Sequence, residues 1–384
     1  MSRELQLARL GASPAEAAEL AAYNENVFDL AALTPGVRFP LPDEPFVAFW
    51  AAAEAAARQR GAVAVLGEHL PQLRFPIASG VSATEPYRAA TRRGVPPAEI
   101  PEATGLVLAR PEAVELALHA SPAGRIPLLI ARGRAEFVAL VQALARRNEP
   151  EEIPASQGAL MVAGYNNWSR IGELKARWEA ADPAGRERAT WGEEFQHLQE
   201  RRELYQDRFI LLSDGPYSAV PAADLGLAEE EWRTLSLAIR RDHECTHYLT
   251  RRLFGSMRNN LLDEVIADYA GLVGATGRFR ADWFLRFVGL EGFPKYRPGG
   301  RLDLYRGKPP LSDGAFRVLQ ALVVRAAENL ERFDAGRPRG MEETVLTVAA
   351  LASLRLEDLA EKHGAERIDA AVARVRARLG LQEL

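Results

Sequence analysis

His243-Glu244-Cys245-Thr246-His247 reads H-E-x-x-H, a spacing that one particular chemistry demands. On a helix, side chains four residues apart stand one turn above the other on the same face. Two imidazoles so placed can bind a single zinc ion. Glu244, directly after the first of them, can reach a water on that metal and take its proton. Cys245 lies two residues after His243, about 200° round a helix of 3.6 residues per turn. It should point away from the metal and serve packing.

The flanks predict that helix. Residues 227–254 contain neither proline nor glycine, and apolar residues recur at Leu227, Trp232, Leu235, Ile239, Leu249 and Leu253. That is roughly one helical stripe, and Gly255 supplies a C-terminal stop. A second helix is predicted from Asn260, the expected N-cap, with Asp263 at the positive end of the helix dipole. Glu264 follows His247 by seventeen positions. A helix–turn–helix return would present its carboxylate as a third zinc ligand. Asp268, one turn further along, could accept the free ring N–H of His243 and fix its tautomer.

Over Arg241–Ala270 the chain resembles the gluzincin branch of zinc metallopeptidases, which carry H-E-x-x-H on one helix and E-x-x-x-D on the next. The resemblance implies that His243, His247 and Glu264 are the zinc ligands of a one-zinc site. It implies that Glu244 is the general base and Asp268 the aspartate that orients a ligand histidine. It also implies a zincin-like, mostly helical catalytic domain with a small sheet. The tetrahedral oxyanion of such a reaction needs a donor besides zinc. Tyr165, Asn167, Arg170, Tyr217, Arg258 and Tyr296 are the candidates, unranked by sequence. The resemblance implies a peptide or small amide as substrate.

The elements that must position these residues suggest two parts and an α+β (mixed α/β) fold. Helices are expected from Pro14 (capped by Ser13) to about Ala22, over about Pro45–Arg58, over Pro111–His119 and over Gly133–Arg147. Ala62–Leu66, Leu106–Ala109 and Ile126–Ile130 read as buried strands. Strands alternating with helices imply an N-terminal α/β domain over 1–150. Asn148–Pro154 would be the linker, and 151–384 the catalytic domain. Ala159–Trp168 and Arg208–Ser213 read as further strands. Strand 208–213 lies just upstream of the H-E-x-x-H helix, where an edge strand could bind an extended peptide by backbone pairing. After Gly277 the pattern is helical, and the stripes Phe316–Phe333 and Ile368–Leu379 read as core.

Composition narrows the function classes. A net charge of −4 gives no reason to expect nucleic acid or an anionic membrane as partner. No apolar run reaches membrane-spanning length. The N-terminal residues do not read as a signal peptide, and the single cysteine leaves no internal disulfide. Together these point to the cytoplasm. No phosphate loop or dinucleotide fingerprint is present. Ser79–Thr84, rich in small and hydroxyl residues and followed by Arg88, Arg92 and Arg93, reads as a loop leading into an exposed helix. An anion site is the sharper alternative there. His69 and His119 stand outside any ligand spacing.

Two other readings use the same residues. Glu194-x-x-His197 and Glu244-x-x-His247, with Glu173 and Glu264 as extra acids, would suit a di-iron oxidase or oxygenase in a helical bundle. A strand and a Gly-Pro turn between the motifs, and an unused His243, weigh against it. A non-catalytic, zinc-stabilised binding protein would need a fourth protein ligand, for which the sequence offers no obvious candidate.

Overall fold

The computed structural model describes residues 3–181 and 190–381. The chain divides into a sheet unit, Asp43–Gly215, and a helical unit made of Met1–Pro42 and Pro216–Leu384. The fold is α+β: the described residues are mostly helical, with one four-stranded sheet.

The helical unit begins with α1 (Arg3–Arg9) and α2 (Pro14–Tyr23). As the sequence indicates, Ser13 caps α2, and Glu16 returns the bond to form a capping box.

The sheet unit follows, with α3 (Val47–Arg60), α4 (Ala62–His69), α5 (Glu85–Arg93), β1 (Val114–Ser121), β2 (Gly124–Ala131), α6 (Arg134–Ala145), β3 (Ala159–Asn166), α7 (Trp168–Ala181), α8 (Trp191–Leu198) and β4 (Gln206–Ser213). The strand order is β1-β2-β4-β3. β1 and β2 form an antiparallel hairpin, β4 runs parallel to β2, and β3 is antiparallel to β4. Trp50, Val65, Leu66, Phe137, Leu140 and Val141 from α3, α4 and α6 share one core with Leu129, Phe209 and Leu211 of the sheet.

Four sequence expectations are corrected here. Ala62–Leu66 is helix, not strand: Ala62, Val65 and Leu66 bury at i, i+3 and i+4, and so short an apolar run fits either period. Leu106–Ala109 has no strand pairing. Its leucines lean on the core while Val107 stays exposed. Pro111–His119 is a 3-10 turn followed by β1, because Ser121-Pro122-Ala123-Gly124 closes a hairpin, with Gly124 at φ +90. The division near residue 150 also fails. The sheet begun by β1 and β2 is completed by β3 and β4, so that unit extends to Gly215, while the first 42 residues join the helical unit. β4 is therefore an inner strand with both edges paired and offers no free edge to a peptide.

The helical unit resumes with α9 (Glu229–Phe254), α10 (Leu261–Thr276), α11 (Ala281–Val288), a 3-10 segment (Arg301–Tyr305), α12 (Asp313–Asp334), α13 (Met341–Ala352), α14 (Leu356–Leu359) and α15 (Gly364–Leu379). Three glutamates open α9 and two arginines close it, matching the helix dipole at both ends. Gly255, at φ +71, ends it in the left-handed conformation that favours glycine. The stripes of α12 and α15 are buried, as expected. No described helix is long and apolar enough to cross a membrane.

Candidate metal centre

The site is built by α9, α10, the 217–219 turn and the 301–305 segment, all within the helical unit. α9 and α10 cross closely at Gly271: a Cβ there would come within 2.7 Å of the Ile239 carbonyl oxygen and 3.5 Å of His243 Cβ. Only glycine lets α10 bring its carboxylates this near the histidines.

His243 Nε2 and His247 Nε2 are 3.1 Å apart. Glu264 closes the group, with Oε2 3.5 Å from His243 Nε2 and Oε1 3.6 Å from His247 Nε2. Among the described residues these three form the one cluster with metal-ligand geometry. Zinc bonds of about 2.0–2.1 Å in a tetrahedron require ligand–ligand edges of about 3.3–3.4 Å. The three observed edges bracket that length. Two imidazole nitrogens and a carboxylate converging this closely need a proton or a cation between them, so the donor set fits zinc in size and in kind.

His243 is held from behind and His247 is not. His243 Nδ1 lies 2.9 Å from Asp268 Oδ1, which leaves Nε2 free for a metal. Asp268 is wholly buried. It also accepts from the Tyr217 hydroxyl at 2.5 Å and from Arg301. Arg301 Nη1 donates to Tyr217 Oη at 2.9 Å and to Ser218 Oγ at 3.1 Å. His247 Nδ1 has no hydrogen-bond partner among the described residues, and Asp263 Oδ2 stands 3.9 Å away. The Tyr305 hydroxyl donates to Glu264 Oε2 at 2.7 Å, and Tyr23 Oη donates to the Tyr305 carbonyl at 2.5 Å. Tyr23, 282 positions from Tyr305 in sequence, thus holds the segment that holds Glu264.

Burial pushes the Glu244 carboxyl up to about 7, within the range a general base needs at neutral pH. Asp268 goes the other way. Burial would raise it, but Arg301 and then His243 and Tyr217 hold it down at about 2. Burial depresses His243 too, yet hydrogen bonding and attraction to Asp268 leave it raised overall. His247 falls to about 4, first from burial and then from His243, so its imidazole is neutral at pH 7. Burial, and then the charge of Glu264, raises Asp263.

The backbone is strained where these groups are held. Ser218 and Ala219 have φ of 52 and 57, and Asn260 has φ 53. Left-handed backbone at non-glycine residues costs on the order of 1–3 kcal/mol each and concentrates at functional sites. Asn260 is not the side-chain N-cap of α10. Its amide donates to the Tyr23 carbonyl at 2.5 Å, and Asp263 instead accepts from the Asn259 N–H at 2.6 Å.

The oxyanion candidates part company. Tyr217 joins the site, but its hydroxyl is occupied by His243, Asp268 and Arg301. Tyr296 folds the loop ahead of Arg301 by donating to the Gly300 carbonyl and accepting from the Asp303 N–H. Arg258 is exposed on the α9–α10 turn. Tyr165, Asn167 and Arg170 belong to the sheet unit and are engaged there. Tyr165 donates to Gln72, and Asn167 and Arg170 both bind the buried Asp207, which Trp50 also reaches. Cys245 is buried, as its position on the helix implies.

Arg301, Tyr305 and Tyr23 escaped the sequence reading. They come from segments far from the motif, and no spacing marks them. The di-iron arrangement finds no support in the described residues. Glu194 and His197 lie on the short α8 of the sheet unit with His197 exposed, and Glu173 is exposed and paired with Arg177. No fourth His, Cys, Asp or Glu joins the triad among the described residues, as a closed structural zinc site would require.

No curated protein and no solved structure gave a match to the chain. Residues 5–363 match the profile of a family of unknown function (DUF7005), and over that span the chain belongs to this family.

Proposed function

We propose that the protein is a zinc-dependent hydrolase that cleaves a peptide or small amide bond, of the gluzincin kind its motifs resemble. The observation that carries the reading is the convergence of His243, His247 and Glu264 within bonding reach of one point, with Glu244 on the turn between the histidines. A zinc ion held there would supply Lewis acidity to a carbonyl oxygen and to a water. His243 and His247 would hold it through their Nε2 nitrogens and Glu264 through a carboxylate oxygen. Asp268 receives the His243 Nδ1–H and keeps its ring aimed. Tyr305 restrains Glu264. Glu244 takes the proton of the attacking water on its carboxylate and hands it to the departing amine, a role its raised proton affinity suits. Three protein ligands, with no fourth among the described residues, leave a corner for substrate. The lone Cys245 fits a reducing compartment, and the cytoplasm is part of the same proposal.

The test combines metal analysis with Glu244→Gln, assayed on a panel of fluorogenic aminoacyl amides and internally quenched peptides. One zinc per chain is expected in both proteins. Turnover should fall by about 10²–10⁴ in the variant. Absence of zinc from the native protein removes the metal centre, and undiminished turnover in Glu244→Gln removes the general base.

A further inference from the structure

The loop at Ser79–Thr84 raised the question of an anion site. In the structure its own donors are taken: Glu149 accepts from the Gly80 and Ser82 N–H groups at 2.7 and 2.9 Å. Of the arginines beyond it, Arg93 is paired with Glu85, while Arg92 is not. A cavity of about 510 Å³ in the sheet unit, beside edge strand β3, is lined by Arg92 at the end of α5 and Arg147 just after α6. Neither guanidinium has an ion-pair or hydrogen-bond partner among the described residues, and none of the residues lining the cavity is acidic.

The neutral polar groups point the same way. Gln72 and Asn166 also line the cavity. The Gln72 Oε1 accepts from the Tyr165 hydroxyl at 2.7 Å, and the Asn166 Oδ1 accepts from the Gln206 amide at 3.0 Å. With both acceptor ends engaged inside the protein, the amide NH₂ groups are the ends left for a ligand.

The backbone is committed to this arrangement. Arg147 and Asn148 are consecutive non-glycine residues in the left-handed region, at φ 55 and 61. Asn148 is wholly buried, donates to the Gln72 and Phe75 carbonyls and accepts from the Tyr87 hydroxyl. That network offsets the strain and fixes Arg147 at the cavity. On the opposite wall β3 shifts register between Ala163 and Tyr165, with Gly164 at φ +75.

We propose that this cavity binds a small molecule carrying an oxyanion, phosphate or carboxylate, clasped by Arg92 and Arg147 with Gln72 and Asn166 donating to its remaining acceptors. Guanidinium groups suit planar or tetrahedral oxyanions, and the volume is that of a metabolite-sized site. The site is independent of the metal centre and of the hydrolase proposal.

The test uses the full-length protein and calorimetric titration with inorganic phosphate, glycerol 3-phosphate and succinate at constant ionic strength. Binding with Kd at or below about 1 mM is expected for at least one probe. Phosphate-bearing probes binding alone would support a phosphorylated ligand, and succinate alone a carboxylate. Arg92→Gln and Arg147→Gly should each weaken binding about tenfold or more. Arg147→Gly should at the same time keep or raise the Tm, since glycine relieves the left-handed strain. That combination separates a lost ligand contact from a damaged fold. Binding of none of the three probes, or binding unchanged in both variants, overturns the proposal.

Discussion

Replacing Asp268 by asparagine separates the two tasks assigned to this carboxylate. It is wholly buried and holds His243 Nδ1, the Tyr217 hydroxyl and Arg301 together. Asparagine keeps the shape but removes the charge. Breaking one side of a buried ion pair costs about 3–5 kcal/mol, because the surviving charge is left uncompensated. Arg301 would still donate from Nη1 to Tyr217 and Ser218, while its Nε has no partner among the described residues. The expected loss is therefore at the lower end, about 3 kcal/mol. The second task concerns metal. Without a carboxylate on Nδ1, His243 is a weaker and less aligned ligand, and zinc affinity should fall about 10–100-fold. The two losses need separate assays, since bound metal itself raises apparent stability. Urea unfolding of the zinc-free protein gives the first, and competition with a chromogenic chelator gives the second. Asp268→Asn/Arg301→Met removes both charges, so it should regain most of the zinc-free stability while zinc affinity stays low. If Asp268→Asn binds zinc as tightly as the native protein, Asp268 does not orient His243. If the double variant is no more stable than the single one, the uncompensated-charge argument is wrong.

Other expected outcomes follow from the same geometry. Tyr305→Phe removes the hydroxyl that donates to Glu264 Oε2. It should weaken zinc binding by about tenfold with little change in the unfolding of the zinc-free protein, measured by the same two assays. Gly271→Ala places a methyl 2.7 Å from the Ile239 carbonyl oxygen. Overpacking of this kind costs about 1–3 kcal/mol, and by pushing α10 from α9 it should lower zinc affinity as well; an unchanged affinity would show that Glu264 does not depend on this crossing. Asp334 governs part of the acid response. Burial would raise its pKa, but Arg339, the Phe279 N–H and the Tyr269 hydroxyl hold it below the usual carboxylate value. Its contribution is present above the unfolded pKa, about 3.9, and is lost as pH falls through the lowered folded value. Asp334→Asn should therefore flatten the fall in stability below about pH 4, measured by urea unfolding across pH.

What could be read from the sequence was whatever repeats with a local period. The α9 stripe, its glycine stop, the Ser13 cap and the helices of the C-terminal part all obey the 3.6-residue repeat within one element. The candidate triad His243, His247 and Glu264 was legible for a related reason. Two of its members sit one turn apart on α9, and Glu264 and Asp268 one turn apart on α10, so only the crossing of two helices had to be supplied. Ala62–Leu66 shows where that reasoning stops. A short apolar run satisfies both periods, and the tertiary environment chooses.

The remaining features depend on contacts between distant segments. A strand's neighbours are set by pairing across the chain, so β4 became an inner strand beside β2, and the domain division moved with it. Arg301 reaches Asp268 from 33 positions away, and Tyr23 reaches Tyr305 from 282. Neither carries a local signature, because a buried guanidinium or phenol is recognisable only by what surrounds it. The chain alone thus specified which side chains could hold a cation. Folding decided which others aim them, since desolvation and partner geometry exist only once remote segments have met.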